Sequence, residues 1–198
     1  MFEELLEFHN ALEEKESARE NLIKLTRDLK VNSTKAIAAV HSEDMHTAEE
    51  HLEQAGKIID QIAEYKKYPE FYYAIAHDSL QEYVEAFLFL KLVTGDPNID
   101  LKSLKAEIPS ILTGLGDLIG ELRRFVLDLF RKGEFERGEE LMNVMEHLYS
   151  QLSTFYFPDK MLPGLRNKVD TARILIERTK SDYIVAKMAI KIDQQGDA

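Results

Sequence analysis

IPSILTGLGDLIGELRRFVLDLF, residues 108–130, sets Ile111, Leu112, Leu115, Leu118, Ile119, Leu122, Phe125, Val126 and Leu129 at helical spacing around most of one circumference. Pro109 suits the first turn of such a helix, where its missing N–H would have no intrahelical partner in any case. Lys132-Gly133 closes it. A helix that is apolar almost all round must be covered by others, so this segment is the central helix of an all-α domain.

Outward from it, every segment keeps the 3.6-residue period and none alternates with period two. Phe2, Leu5, Leu12, Leu22, Leu25, Leu29, Ala36 and Val40 form one stripe, which predicts a first helix from about residue 3 to about 40, long enough to serve a bundle edge or an assembly surface. A second helix fits 43–66, with Ser42 as N-cap and Glu43 and Asp44 in its first turn. Pro69 precedes a third helix over 70–94, and Gly95-Asp96-Pro97-Asn98 is a turn that ends it. A short helix near 101–106, a helix over 134–154, a loop bracketed by Pro158 and Pro163, and a last helix over 164–190 complete about six to seven helices. Residues 1–192 read as a single domain and 193–198 as a polar, frayed tail.

With 198 residues, 44% of them hydrophobic, the chain can bury one sizeable core, and no internal repeat divides it. The absence of cysteine excludes a disulfide framework, a thiolate zinc site and a cysteine nucleophile. The first helix is too charged for a signal peptide, and no apolar run approaches the ~20 residues of a membrane span, so the expected location is the cytoplasm with no membrane partner. A net charge of −11 disfavours binding a polyanion through the whole surface. Local basic clusters are a separate matter. Lys24, Arg27, Lys30 and Lys35 fall close together, and Arg123, Arg124, Arg131 and Lys132 follow on the central helix; each group is either a phosphate-binding patch or a set of solvated helix partners.

Two carboxylate pairs stand inside apolar helical segments. Glu82 and Glu85 in LQEYVEA (residues 80–86) are i,i+3, about 60° apart, while Asp117 and Glu121 in GDLIGEL (residues 116–122) are i,i+4, about 40° apart. Each pair shares a face, and if the faces converge they offer the hard oxygen ligands that Mg²⁺ or Mn²⁺ prefers. The other reading is two solvated acidic faces. Gly114, Gly116 and Gly120 lie in the central helix, where each costs about 1 kcal/mol against alanine. Close approach of another backbone would compensate and would bring Asp117 and Glu121 to Glu82 and Glu85. Glu43-Asp44-Met45-His46 has the Glu-x-x-His spacing of di-iron bundles, but occurs once where two copies are needed. His41, His46 and His51 are expected at the surface without a role; His77 is expected in a structural hydrogen bond, with substrate contact as the alternative.

At these residues the sequence resembles the translin superfamily, and its translin-associated factor X (Trax) branch more than translin itself. LQEYVEA and GDLIGEL look like the Trax catalytic segments in the same order, more closely spaced than in larger eukaryotic members. Arg19 to Ser42, with Arg27-Asp28 and Lys35, is similar to the family's first long helix. The resemblance implies a seven-helix all-α fold assembling into a hollow, usually octameric shell around single-stranded RNA or single-stranded DNA. It implies an Mg²⁺-dependent endoribonuclease, with Mn²⁺ as the alternative ion, in which Glu82, Glu85 and Asp117 are metal ligands and Glu121 is a further ligand or water-positioning base. Arg27 and Lys35 would face the nucleic acid, with Lys30, Arg123 and Arg124 as further basic contacts. The chain lacks the long basic N-terminal extension of eukaryotic Trax, which favours self-assembly of one subunit type. The alternative function is a noncatalytic, translin-type binder of single-stranded RNA or DNA.

Overall fold

The computed structural model describes residues 2, 4–96 and 99–196, from residue 190 on in backbone only. Among the described residues there are six α-helices and no strand: α1 (Glu4–His41), α2 (Met45–Ala63), α3 (Pro69–Thr94), α4 (Ile108–Lys132), α5 (Phe135–Leu152) and α6 (Leu165–Gly196). The expected all-α architecture is what forms. Glu64–Lys67 and Leu101–Leu104 are single 3₁₀ turns, so the second helix ends earlier than its apolar period suggested and the short helix near 101–106 is only a turn. The last helix runs past the expected end near 190, to Gly196.

Cap chemistry explains where the helices stop. Gly95 (φ 74°) and Gly133 (φ 83°) take the left-handed conformation that L side chains resist. Each makes a Schellman pair: Asp96 N donates to Lys91 O and Gly95 N to Leu92 O, while Glu134 N donates to Leu129 O and Gly133 N to Phe130 O. Pro97 and Asn98 of the expected turn lie outside the described residues. The N-cap expected at Ser42 is displaced to Asp44. Ser42 donates its hydroxyl to Ala38 O at 3.0 Å and so prolongs α1, Glu43 turns left-handed (φ 60°), and Asp44 accepts from Thr47 N at 3.1 Å.

Helix directions follow from the pairs that meet. His77 meets Ser110, Gln81 meets Asp117 and Phe89 meets Phe125, so α3 and α4 run parallel, with residues 33–36 apart standing level. Lys15 with Glu70 and Thr34 with Glu82 make α1 parallel to α3, and Asp117 with Lys168 and Arg123 with Asp182 make α6 parallel to α4. α2 and α5 run the other way as short returns. Parallel neighbours cannot be joined by a tight turn, which is why the sequence between Thr94 and Ile108 is long. α4 is the central helix, buried through Leu112, Leu115, Leu118, Ile119, Leu122 and Val126.

The α3–α4 contact is close because of Gly114. A methyl there would lie 2.8 Å from the Gln81 carbonyl oxygen and 3.0 Å from Val84 Cβ. Gly116 and Gly120, expected to serve the same contact, face α6 instead, against Lys168 and Leu175. Not all apolar surface is covered. Leu5, Leu6, Phe8 and Leu12 are more than half exposed on the first turns of α1, as are Ile184, Val185 and Met188 on α6. No helix among the described residues is long and apolar enough to cross a membrane.

These contacts separate two glycines. Gly114→Ala should destabilise by about 1–3 kcal/mol, because overpacking against α3 outweighs the gain in helix propensity. Gly56→Ala, in α2 with nothing within 4 Å, should stabilise by about 1 kcal/mol. Urea unfolding followed by circular dichroism reads both signs, and equal shifts would contradict the contact.

Candidate functional site

The parallel register sets the two acidic pairs side by side: Glu82 and Glu85 on α3, Asp117 and Glu121 on α4. Their charges reach one another. Burial pushes the Glu85 carboxyl up to about 8, with Asp117, Glu121 and Glu82 each adding to the rise and Lys168 opposing it. Glu85 is only 8% exposed. The two acidic faces therefore lie near enough for their charges to interact, and the solvated-face alternative fails for Glu85.

Three of the four carboxylates have internal partners from other helices. Glu82 accepts from Thr34 Oγ1 at 2.8 Å and stands 3.9 Å from Lys30 Nζ, both on α1. Asp117 accepts from Gln81 Nε2 at 2.6 Å and from Lys168 Nζ of α6 at 2.6 and 2.7 Å to its two oxygens. Glu121 is bonded to His41 Nε2, and that bond first, then the charges of His41 and Arg124, hold its carboxyl below the ordinary range against the effect of burial. Glu85 has no such partner. Among the described residues, no three Asp, Glu or His side chains already surround a single point as a metal would require.

His41, expected to be an idle surface residue, is instead buried to 5% side-chain exposure, packed on Phe89 and near Phe125. The polar position after the apolar Ala39-Val40 hinted at an inward turn, but its partner lies 80 residues away. Lys168 was likewise missed; nothing in its local sequence marks it, and Gly116, which would put a methyl 2.9 Å from Lys168 Cβ, is what lets it reach Asp117. His77 shares a hydrogen bond with Ser110 at 2.9 Å, as expected. His46 is exposed beside Glu50 at the start of α2, so the Glu-x-x-His spacing builds no bundle site.

The basic candidates divide. Arg27, Lys30, Thr34 and His41 fall within about 60° of arc on α1, a stripe leading to the carboxylates. Lys35 is exposed to one side of it, and Arg124 is exposed on α4. Arg123, expected with them, is committed to α6: it donates to Thr179 Oγ1 at 2.7 Å and Asp182 at 2.9 Å. A basic residue in the fold interior of a helix pair reads in sequence like one that faces a ligand, and only tertiary contact separates them.

Carboxylates are the donor type that a hard divalent cation takes, but among the described residues the four do not surround one point, and Glu85 is neutralised by its own proton. Lys168 occupies part of a cation's role at Asp117, so a cation binding there must move its ammonium aside.

Residues 17–181 match the sequence profile of the Translin family. The chain is 30% identical over 188 residues to an uncharacterized protein of Methanocaldococcus jannaschii, covering 92% of this chain and 82% of that one. It is 25% identical over 198 residues to the translin-associated protein X homolog of Schizosaccharomyces pombe, covering 91% and 85%. The crystal structure of AfC3PO superposes with a TM-score of 0.89 at 42% identity over 93% of this chain and 97% of that chain, and the structure of the AfC3PO–duplex RNA complex with 0.89 at 41% identity over the same shares.

The Glu85 environment carries a pH signature. A carboxyl raised in the folded state favours folding while both states are protonated, and that contribution is lost as pH rises from about 4.5 towards 8. Glu85→Gln, which cannot ionise, should therefore gain stability over wild type as pH rises from 5 to 8.5 in chelator, by an amount on the order of a few kcal/mol. Urea unfolding at the two pH values measures it; a difference independent of pH would mean that Glu85 is not held in an acidic, buried cluster.

Proposed function

The chain belongs to the translin family, and on that premise we propose that it is an Mg²⁺-dependent endoribonuclease acting on single-stranded RNA within an oligomeric shell. The observation that carries this reading is the pair of facing acidic faces on α3 and α4, with Glu85 buried, holding its proton and without a side-chain partner. Burying like charges is unfavourable unless a cation or a proton offsets them. A protein that only bound phosphate would hold its ligand more tightly without these acids. That a similar protein, AfC3PO, has a solved structure as a complex with duplex RNA supports RNA as the ligand class.

In this reading Glu82, Glu85 and Asp117 hold the ion, Mg²⁺ or alternatively Mn²⁺. When bound, it would polarise the phosphodiester and make water acidic enough to attack. Glu121, kept ionised and oriented by His41, would orient a water through its carboxylate. Lys168, once displaced from Asp117, carries an ammonium that can meet a phosphate oxygen. Arg27, Lys30, Lys35 and Arg124 position the strand through phosphate contacts that read no sequence. Single-stranded DNA is the alternative ligand. The Lys168–Asp117 pair is the one feature that favours noncatalytic binding, since it neutralises a ligand without a metal.

The uncovered apolar turns of α1 and α6 support assembly of several copies of this chain, with an octamer as the family's expected form. Enclosure reconciles a net charge of −11 with a polyanionic substrate: the outer surface keeps particles soluble while cations dominate inside.

Labelled single-stranded RNA tests the chemistry. Wild type should cleave it in Mg²⁺ and not in chelator, and Glu82→Ala, Glu85→Ala and Asp117→Ala should each lose at least the roughly 10–100-fold typical of a damaged metal site while remaining folded. In the same samples Arg27→Glu with Lys35→Glu should weaken binding and flatten its salt slope by about 1.4, two single-strand phosphate contacts' worth. Undiminished cleavage by Asp117→Ala would remove that residue from the site, and RNA binding without any cleavage would leave the noncatalytic function.

Light scattering at micromolar concentration should give several times the 22.8 kDa chain mass. A monomer still active on RNA would refute the shell.

A further inference from the structure

Towards the N-terminal ends of α3 and α4, next to the carboxylates, the two helices and the loop before α6 enclose a cavity of about 190 Å³. Its walls are apolar and flat, made by the ring of Tyr73 with Leu80, Pro109 and Met161. Tyr73 is 57% exposed and stands edge-on to Tyr72 at 5.3 Å. The polar groups of the cavity come from Tyr72, His77, Ser110, Glu107 and the exposed Lys160, and Glu107 Oε1 pairs with Lys66 Nζ at 2.7 Å. Tyr72 is 1% exposed, yet its hydroxyl has no hydrogen-bond partner, which is uncommon for a buried polar group. Burial raises its phenol to about 12, the charge of Glu107 adds to the rise, and Glu107 lines the same cavity. His77 uses Nδ1 on Ser110, and burial holds its imidazole below the ordinary pKa, so the ring is neutral at pH 7.

Size and charge restrict the occupant. A dry cavity of about 150 Å³ takes a benzene ring, whereas drug-sized ligands need about 300 Å³ or more. One aromatic ring system fits. Lys66 balances the charge of Glu107 through Oε1, and the carboxylate still offers acceptor oxygen to a ring that carries N–H donors at its edge.

Position links the cavity to the carboxylates. Ser110 precedes Asp117 by two helical turns on the same face of α4, about 10 Å. His77 precedes Gln81 by one turn, and Gln81 holds Asp117. Lys168 lies between, with its ammonium on Asp117 and its charge felt at His77.

We propose that this cavity receives one unpaired base of the RNA strand, beside the phosphodiester held at the carboxylates, stacked on Tyr73 with an exocyclic amino group facing Glu107 and the Tyr72 hydroxyl. The proposal rests on the reading that an RNA strand crosses the acidic cluster. Stacking on an aromatic side chain with hydrogen bonds at the base edge is a common means of holding single-stranded RNA. Adenine, cytosine and guanine carry the amino group; uracil does not and would leave Glu107 facing a carbonyl. Sites built around a hydrogen bond discriminate strongly against the ligand that lacks it. A fully paired duplex presents no base to the cavity.

The test uses the full-length protein in EDTA with 5′-AMP, 5′-CMP, 5′-GMP and 5′-UMP at millimolar concentration, read by saturation-transfer NMR. Base protons of the first three should take up saturation, UMP at least about fivefold less. Tyr73→Ala should weaken AMP binding by at least about fivefold, and Tyr73→Phe should retain it. Glu107→Gln should narrow the gap between AMP and UMP. Equal signals for all four nucleotides, or a signal unchanged in Tyr73→Ala, would overturn the base site. Cleavage of RNA in Mg²⁺ by wild type with no nucleotide signal in EDTA would overturn it too while leaving the nuclease reading intact. The expected nucleotide pattern without cleavage would keep the base site and defeat the nuclease.

Discussion

The contact of α4 with α3 at Gly114 is the constraint on which the rest of the structure depends. Without a Cβ at that position the Gln81 carbonyl and the Val84 side chain can close on the helix axis. That closeness holds two parallel helices in a single register. Once Gln81 stands beside Asp117, Glu82 and Glu85 are level with Asp117 and Glu121, and no further device is needed to gather the four acids. The opposite side of α4 repeats the solution with Gly116 and Gly120, which admit α6 and bring Lys168 to the same place. One buried helix with three small positions thus joins both walls of the site.

Gathering acids is unfavourable by itself, and the cluster shows how the fold distributes the load. α1 supplies Lys30 and Thr34 to Glu82 and His41 to Glu121, and α6 supplies Lys168 to Asp117. Glu85, deepest and without a partner, responds by holding its proton to about pH 8. The three partnered carboxylates are oriented by their donors, while the fourth registers the deficit of positive charge. A cation arriving from solvent would relieve that deficit at Glu85 while competing with Lys168 at Asp117, so affinity would depend on how easily the lysine swings away. The same ammonium would then be released towards a phosphate group. A shared cation of this kind links occupation of the site to readiness for substrate.

How much could be read beforehand follows the range of each interaction. The central helix, the glycine stops at Gly95 and Gly133, and the pairing of Glu82 with Glu85 and of Asp117 with Glu121 are set within a few residues, and all were legible. Helix ends governed by competing local bonds were less so: Ser42 resembles a cap, but its hydroxyl bonds back to Ala38 and Asp44 caps instead. Contacts between distant segments were not legible. His41 and Lys168 reach the cluster from 80 and 51 residues away, and Arg123, in a run of basic residues, turns out to bind Asp182. The parallel sense of α3 and α4 left only an indirect trace, the length of the segment between them.

The distribution of exposed apolar residues bears on how such a site would be used. α1 meets the start of α3 at Glu14, which accepts from the Tyr68 hydroxyl, and at Lys15, which pairs with Glu70, while on the turns before them Leu5, Leu6, Phe8 and Leu12 are uncovered. Those turns continue the helix that carries Arg27, Lys30, Thr34 and His41 along the acidic cluster. A neighbouring copy that covered the bare turns would fix α1 at both ends, and the stripe leading to the carboxylates would then be held by assembly as well as by the fold. Since His41 and Thr34 orient two of the four acids, the geometry of the cluster would become coupled to oligomerisation through a single rigid helix.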